Sequence, residues 1–339
     1  MVLAMILLLV SFLASAILCG AGLYILSKIL PSDFLTAGFN ARSNHSTSAR
    51  QIGGLALLPA ILISLLMFGT DLCLSIDLVM CLLGASLLLW IIGALDDRFE
   101  LSVKTRFGSQ FVAACLVAYG LGPDFRLLPD VLPQWLELVL IVSVLITAIN
   151  ITNFMDGLDW MTVAGIGIPL MGLTLLSALR LSGIESGIVA ATAAGGLLGF
   201  AIFNRPPATI FLGDSGSFPL GLIAGTALLL LAKETHIIVA LILPLYYLLD
   251  AGTTIILRAI GGENIFKAHS KHAYQIAKRS GWTVPKVVGH VAFLNIILIT
   301  CSTAVLAFDH LLSQIVFSLV AIVVVLLLLL DFRGRFRKL

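Results

Sequence analysis

Long apolar runs separated by short polar breaks occupy the length of this 339-residue chain. A stretch of roughly 17 to 25 apolar residues is what a helix needs to cross the hydrocarbon of a bilayer. On that measure the pattern predicts eleven spans, with ten as the alternative count, at about 3 to 29, 52 to 69, 78 to 95, 108 to 121, 135 to 153, 161 to 180, 187 to 203, 218 to 232, 236 to 257, 287 to 307 and 311 to 330. The expected fold is therefore an all-α, polytopic integral membrane protein forming one transmembrane domain over residues 1–339. The longest polar stretches are 31–51 and 258–286, and no period of 20 to 50 residues marks a repeat.

Composition removes the soluble alternative. With 60% hydrophobic and 11% charged residues and a mean hydropathy of +1.11, a water-soluble domain of this length could not hide its apolar surface. The first 29 residues lack a basic leader and a small-residue cleavage site, so they are expected to remain as the first span. The five cysteines carry no CxxC spacing and read as small core residues.

A net charge of +2 gives no reason to expect a nucleic-acid partner; the placement of the basic residues is more informative. If the N-terminus begins outside, 17 of the 20 basic residues fall on inner segments, leaving Arg126, Arg180 and Lys233 outside. The positive-inside rule then predicts a periplasmic N-terminus and a cytoplasmic C-terminus in a cell inner membrane. Outer loops are short, and the polar motifs described next all fall on the cytoplasmic face.

Three acidic segments end or begin apolar runs: Gly93-Ala94-Leu95-Asp96-Asp97, Asn150 through Asp159, and Phe211-Leu212-Gly213-Asp214-Ser215-Gly216-Ser217. A charge at bilayer depth costs roughly 2.5 to 3.5 kcal/mol on insertion scales, so recurrent acids there call for a counter-charge or a task. Asp96 and Asp97 point about 100° apart on a helix end, allowing one to face a ligand and the other to anchor a loop. A solvated acid pair balanced by Arg98, Lys104 and Arg106 is the plainer reading of that segment. Asn150, Asn153, Asp156 and Asp159 fall at i, i+3 steps, a polar stripe on a helix end, and Gly157 lets the backbone turn or approach a ligand. Inter-helix hydrogen bonding explains one such Asn and not four polar groups. Around Asp214, small residues leave room for a phosphate or hydrated metal, whereas a helix-capping Asp214 is the alternative.

The basic segment Ala268-His269-Ser270-Lys271-His272-Ala273-Tyr274-Gln275 suits phosphate contact better than Zn²⁺, for which no third and fourth ligand is evident. A loop lying on anionic lipid is the structural alternative. Oxygen ligands, small-residue loops and a basic rim at one interface together suggest Mg²⁺, with Mn²⁺ as a substitute. Mg²⁺ characteristically takes one or two carboxylates and completes its shell with substrate phosphates. That combination points to phosphoryl transfer involving a lipid.

With these motifs in this order, and with Arg42-Ser43-Asn44-His45 and Gly53-Gly54 before them, the chain resembles the polyprenyl-phosphate N-acetylhexosamine-1-phosphate transferases over nearly its whole length. The resemblance implies attack by undecaprenyl phosphate on the β-phosphorus of a UDP-N-acetylhexosamine, releasing UMP and initiating O-antigen or another surface polysaccharide. It further implies Asp214 as the metal ligand, Asp96 as base for the lipid phosphate, and Asp97 and Asp156 as support for the metal and diphosphate. Asn153, Asp159, Asn204 and Phe211 would belong to the nucleotide pocket, with Lys104, His269 and His272 on phosphates or sugar. Membrane lipids surround such a protein, and a homodimer is left open.

Three departures from the family pattern stand out. Trp160 follows Asp159 where the family usually has Gly; the first loop is one residue shorter and lacks the prolines of many relatives, which leaves the role of Arg50 open; and the histidine motif is His-Ser-Lys-His and not three consecutive histidines. The last favours a UDP-N-acetylhexosamine donor over the muramoyl-pentapeptide nucleotide of the peptidoglycan enzyme. Two readings from other classes remain: an ion-coupled secondary transporter, which would place acids near mid-membrane in paired halves, and an inactive scaffold, for which Trp160 is the one hint.

Overall fold

A computed structural model describes residues 2–36, 49–69, 74–264 and 269–334. The chain is all-helical, and among the described residues extended pairing is limited to two isolated bridges, Thr36 with Arg50 and Arg50 with Ile210. The helices are α1 (Val2–Ile29), α2 (Gly53–Phe68), α3 (Ile76–Phe99), α4 (Val103–Gly120), α5 (Gln134–Met155), a π-helical turn (Val163–Gly167) running into α6 (Ile168–Ala178), α7 (Ile184–Ala201), α8 (Asp214–Glu234), α9 (Ile237–Ile242), α10 (Leu245–Ile260), α11 (Ala273–Arg279), α12 (Val284–Phe308) and α13 (Leu311–Phe332).

Every predicted apolar run falls on helix, and seven helices among the described residues are long and apolar enough to cross a membrane: α1, α3, α5, α7, α8, α12 and α13. α2 and the run through α6 are apolar but shorter. The predicted span 236–257 is not one helix. Pro244 has no N–H to donate and its ring crowds the preceding turn, so α9 stops at Ile242 and α10 begins anew at Leu245. α11 lies in the polar stretch 258–286, where no helix was predicted.

α8 is the most enveloped element, packed against α2, α3, α5 and α7, with nearly all its residues buried. α1 and α13 instead leave rows of large apolar side chains uncovered, including Ile17 at 68% and Leu311 at 73% exposure. Such surface is stable only against lipid, which makes the chain a polytopic membrane protein with α8 as its axis.

Acids at the two ends of the bundle are treated differently. At the α5 N-terminus the buried Glu137 accepts from Arg126 and from the Leu127 and Leu128 N–H groups. At the α8 C-terminus Glu234 caps α7, accepting from the Ser186 N–H at 3.0 Å. Each of these carboxylates is neutralised or hydrogen-bonded by the protein itself. A 22-residue α5 places the opposite end roughly 30 Å away, and there the acids converge.

Candidate active site

The site is built on the first turn of α8. Gly213 adopts φ +72°, the left-handed region open to glycine, and turns the chain so that Asp214 starts the helix. The N–H groups exposed there are capped from another element. Asp97, in the last turn of α3, accepts the Asp214 N–H at 2.7 Å with one carboxylate oxygen and the Ser215 N–H at 3.1 Å with the other. A carboxylate at the positive end of a helix is favourable both as hydrogen-bond acceptor and as charge. Because Asp97 supplies the cap, the Asp214 side chain is left for other work.

This arrangement requires close contact. A Cβ on Gly93, one turn before Asp97, would stand 2.3 Å from the Asp214 carbonyl oxygen, and one on Gly54 of α2 would stand 2.2 Å from the Gly216 nitrogen. The Gly53 and Gly54 N–H groups donate to the Phe211 and Leu212 carbonyls, both at 2.9 Å, which ties α2 to the segment entering α8.

Asp214 Oδ1 accepts from Asn153 Nδ2 at 2.7 Å, and the same amide reaches Ser217 Oγ at 2.9 Å. The Asp96 carboxyl comes within hydrogen-bonding reach of Asp214, and the charges of Asp96 and Asp97 both bear on it. Asp96 is buried, accepts from the Leu101 N–H, and pairs with Arg106 at 3.1 Å. Among the described residues, Arg106 is the one guanidinium paired with this group of three neighbouring carboxylates. Such a cluster fits a divalent cation, which relieves the mutual repulsion. Among the described residues no three His, Cys, Asp or Glu side chains converge to cage a metal alone.

The polar stripe ends sooner than its spacing predicts. α5 stops at Met155, and Asp156 has already left helical geometry, so Asp156 and Asp159 belong to a loop. Asn150 does not enter the site; it donates to Gln110 Oε1 at 2.7 Å and to the Ile146 carbonyl, bracing α5 against α4. Asp156 accepts from the Thr162 hydroxyl. Asp159 accepts the Ala208 N–H at 3.0 Å, and Asn204 accepts the Trp160 N–H at 2.6 Å while donating to the Ile210 carbonyl at 2.9 Å. These two residues, expected in the nucleotide pocket, join loop 156–162 to loop 203–213. Phe211 is half-buried, its backbone paired with Arg50 and Gly53.

Trp160 sits at φ +62°, in the left-handed region. That is the physical reason for a glycine in the family pattern. The tryptophan is held there by the Asn204 bond and by its indole N–H, which donates to the Ala201 carbonyl at 2.7 Å. Arg50 has a defined role too: its guanidinium donates to the Ser27, Leu30 and Pro31 carbonyls at 3.2 to 3.4 Å and closes the C-terminus of α1.

Lys104 is exposed on the first turn of α4, beside but outside the acidic cluster. His272 is buried at the start of α11, its Nδ1 3.7 Å from Asp250 Oδ1. His269 lies over it with ring centroids 4.9 Å apart, and burial and that neighbour push the His269 imidazole down to about 4. His269 is therefore neutral at pH 7. The motif Arg42-Ser43-Asn44-His45 and Lys267 lie outside the described residues.

Three contributors escape a reading of the sequence. Tyr274 donates to the Phe154 carbonyl at 3.2 Å, and a Cβ on Gly157 would stand 2.2 Å from its hydroxyl, so Gly157 serves the seating of α11. Thr162 carries no signal beyond proximity to Asp156. Asp250 did carry one: it is an acid within a predicted span, which marks a functional position by default.

Residues 79–232, from α3 to α8, match the sequence profile of glycosyl transferase family 4. The chain is 30% identical over 257 residues to a phospho-N-acetylmuramoyl-pentapeptide-transferase of Halalkalibacterium halodurans, covering 70% of this chain and 77% of that protein. It is 31% identical over 258 residues to the protein of the same description from Thermoanaerobacter sp., covering 70% and 78%. It is also 27% identical over 284 residues to a probable undecaprenyl-phosphate N-acetylglucosaminyl 1-phosphate transferase of Bacillus subtilis, covering 77% and 76%. The matched stretch contains the α8 cap, the acids around Asp214 and both loops that border them, and with these similarities it places the chain in glycosyl transferase family 4, the polyprenyl-phosphate sugar-1-phosphate transferases.

Proposed function

We propose that this protein transfers an N-acetylhexosamine 1-phosphate from a UDP-sugar to undecaprenyl phosphate on the cytoplasmic side of an inner membrane, initiating an O-antigen or other surface polysaccharide. The observation that carries this reading is the group of Asp96, Asp97 and Asp214 at the start of α8, in which, among the described residues, the one ion pair is that of Arg106 with Asp96. At the other end of the bundle Glu137 is paired with Arg126 and Glu234 accepts from Ser186, each standing apart from the other, whereas here three carboxylates gather at one helix start. The basic-residue asymmetry supports an N-out, C-in orientation, with this end facing the cytoplasm, where UDP-sugars are.

In the reaction an oxygen of undecaprenyl phosphate attacks the β-phosphorus of the donor. The bond from that phosphorus to the bridging oxygen breaks, UMP leaves with the bridging oxygen and its electron pair, and the sugar 1-phosphate remains on the lipid as a diphosphate. Mg²⁺ bound at Asp214 would supply positive charge to the diphosphate oxygens. Asn153 fixes the Asp214 carboxylate, and Asp97 fixes the helix that carries it. Asp96, oriented by Arg106 and the Leu101 N–H, is the candidate to receive a proton from a lipid phosphate that arrives protonated. Asp156 borders the diphosphate, and the loops held by Asp159 and Asn204 flank the nucleotide with Phe211. Phosphoryl transfer is catalysed chiefly by positioning and charge, and both are supplied here by short, braced side chains.

The muramoyl-pentapeptide nucleotide is the second donor to be considered, because several similar proteins bear that description. The His-Ser-Lys-His motif favours the simpler donor. An ion-coupled transporter is disfavoured by acids gathered at one end without a matching half. The test is UMP release by the purified protein given undecaprenyl phosphate and a panel of UDP-N-acetylhexosamines alongside UDP-N-acetylmuramoyl-pentapeptide. Turnover with a UDP-N-acetylhexosamine supports the reading, and turnover with the pentapeptide nucleotide alone replaces it by the second.

A further inference from the structure

Asp250 is a fully buried acid on α10, outside the acidic cluster at α8 and unused by the transfer described above. Its Oδ1 accepts the Ala273 N–H at 2.8 Å, the first N–H of α11, and the Thr254 hydroxyl at 3.3 Å; its Oδ2 accepts the Tyr246 hydroxyl at 3.2 Å. The same Oδ1 lies 3.7 Å from His272 Nδ1, a buried nitrogen without a hydrogen-bond partner among the described residues, so the carboxylate is the nearest acid facing that side of the ring. The His272 ring is held in its plane by Phe154, 6.5 Å away and stacked, and by Tyr274 at 5.9 Å. Phe154 lies between Asn153 and Asp156, so His272 is docked on the end of α5 that faces Asp214.

The network extends to the end of the described chain. Arg333, just past α13, donates to Thr254 Oγ1 at 3.1 Å and to Thr253 Oγ1 at 3.4 Å. Thr254 therefore accepts from Arg333 while donating to Asp250. Phe332, beside Arg333, is fully buried against Trp282 and fixes α13 where this contact is made.

A carboxylate beside a histidine ring commonly selects its tautomer and orientation. Cation, hydroxyl, carboxylate and imidazole are arranged here in that order, and α11 has no other acid at its N-terminus. We propose that Asp250 is a positioning residue for the transfer site, seating α11 and orienting His272 toward the donor, and that Arg333 completes this support through Thr254. The proposal rests on the transferase reading for its effect on turnover, but its structural half stands independently.

The test uses the full chain in lipid nanodiscs with ¹⁵N-labelled histidine, the His272 ring signals being assigned by their loss in His272→Gln. Asp250→Asn keeps the acceptor for Ala273 and removes the charge. It is expected to shift the His272 ring nitrogens and lower kcat for UMP release by about 10- to 100-fold, with donor KM within about threefold of wild type. Asp250→Glu is expected to recover part of kcat. Thr254→Val and Arg333→Ala, which leave Asp250 in place, are expected to move the same signals by less. Unchanged His272 signals in Asp250→Asn overturn the proposal, as does an unchanged kcat in a wild type that turns over. Unchanged signals in both Thr254→Val and Arg333→Ala overturn the extension to Arg333. A wild type that releases no UMP from any donor overturns the transferase reading instead, and the histidine spectra then decide the seating of α11.

Discussion

Both oxygens of Asp97 are committed to the first N–H groups of α8, while Asp214, 117 positions later, is held by Asn153 and left facing Asp96. Three similar carboxylates thus have different work, which their spacing in the chain could not assign. Asp214→Asn keeps the Asn153 contact but removes the charge that a cation requires, and is expected to lower UMP release by at least about 100-fold with little change in thermal unfolding. Asp97→Ala is expected to cost about 1 to 2 kcal/mol by stripping the cap, read as a lowered unfolding temperature. At Trp160 the balance is closer. Glycine would relieve the left-handed backbone by about 1 to 2 kcal/mol and keep the N–H to Asn204, but lose the half-buried ring and its bond to Ala201. Trp160→Gly is therefore expected to leave the unfolding temperature within a few degrees and donor KM unchanged; a switched donor would make the ring part of the pocket. His269 has its folded pKa at about 4, below the unfolded value near 6.5. The unfolded chain then binds the extra proton between those values, so the stability linked to His269 is full above about 6.5 and falls as the pH drops toward 4. His269→Gln should flatten stability over that window.

At the scale of elements, the site depends on how closely α2 and α3 approach the start of α8. Gly93→Ala places a methyl group 2.3 Å from the Asp214 carbonyl, a backbone atom that cannot swing aside. Overpacking of this kind costs about 1 to 3 kcal/mol, and a displacement near 1 Å at a reacting centre about 100-fold in rate. The expected result is a kcat loss out of proportion to the fall in unfolding temperature, compared in one preparation. Much of this level was legible in sequence: the apolar runs located the helices, and the Gly-Asp motifs marked which ends would meet. What was not legible has physical causes. Pro244 breaks 236–257 by removing a donor that an apolar count ignores. Asn150 continues the i, i+3 spacing of its neighbours, but the helix turns it toward Gln110, a partner 40 residues away that spacing cannot reveal. Gly157 reads as a turn and serves as the seat for Tyr274.

For the whole molecule, the enveloped α8 puts one polar end on the axis of a bundle otherwise faced with apolar side chains. The sidedness proposed from the basic residues is open to direct test. Single cysteines at Arg279 and at His310 in a cysteine-free background are expected to react with a membrane-impermeant maleimide from the cytoplasmic and periplasmic sides respectively, and the reverse labelling would turn the site outward, away from its donor. The central claim is that the acids at the start of α8 carry a sugar 1-phosphate to a polyprenyl phosphate. It is tested most directly by measuring UMP released by wild-type and Asp214→Asn protein in nanodiscs, with undecaprenyl phosphate and Mg²⁺ each supplied or withheld. Release is expected from the wild type only when lipid and Mg²⁺ are both present, and none above background from the variant. Release by the wild type without lipid or without Mg²⁺, or undiminished release by Asp214→Asn, would contradict it.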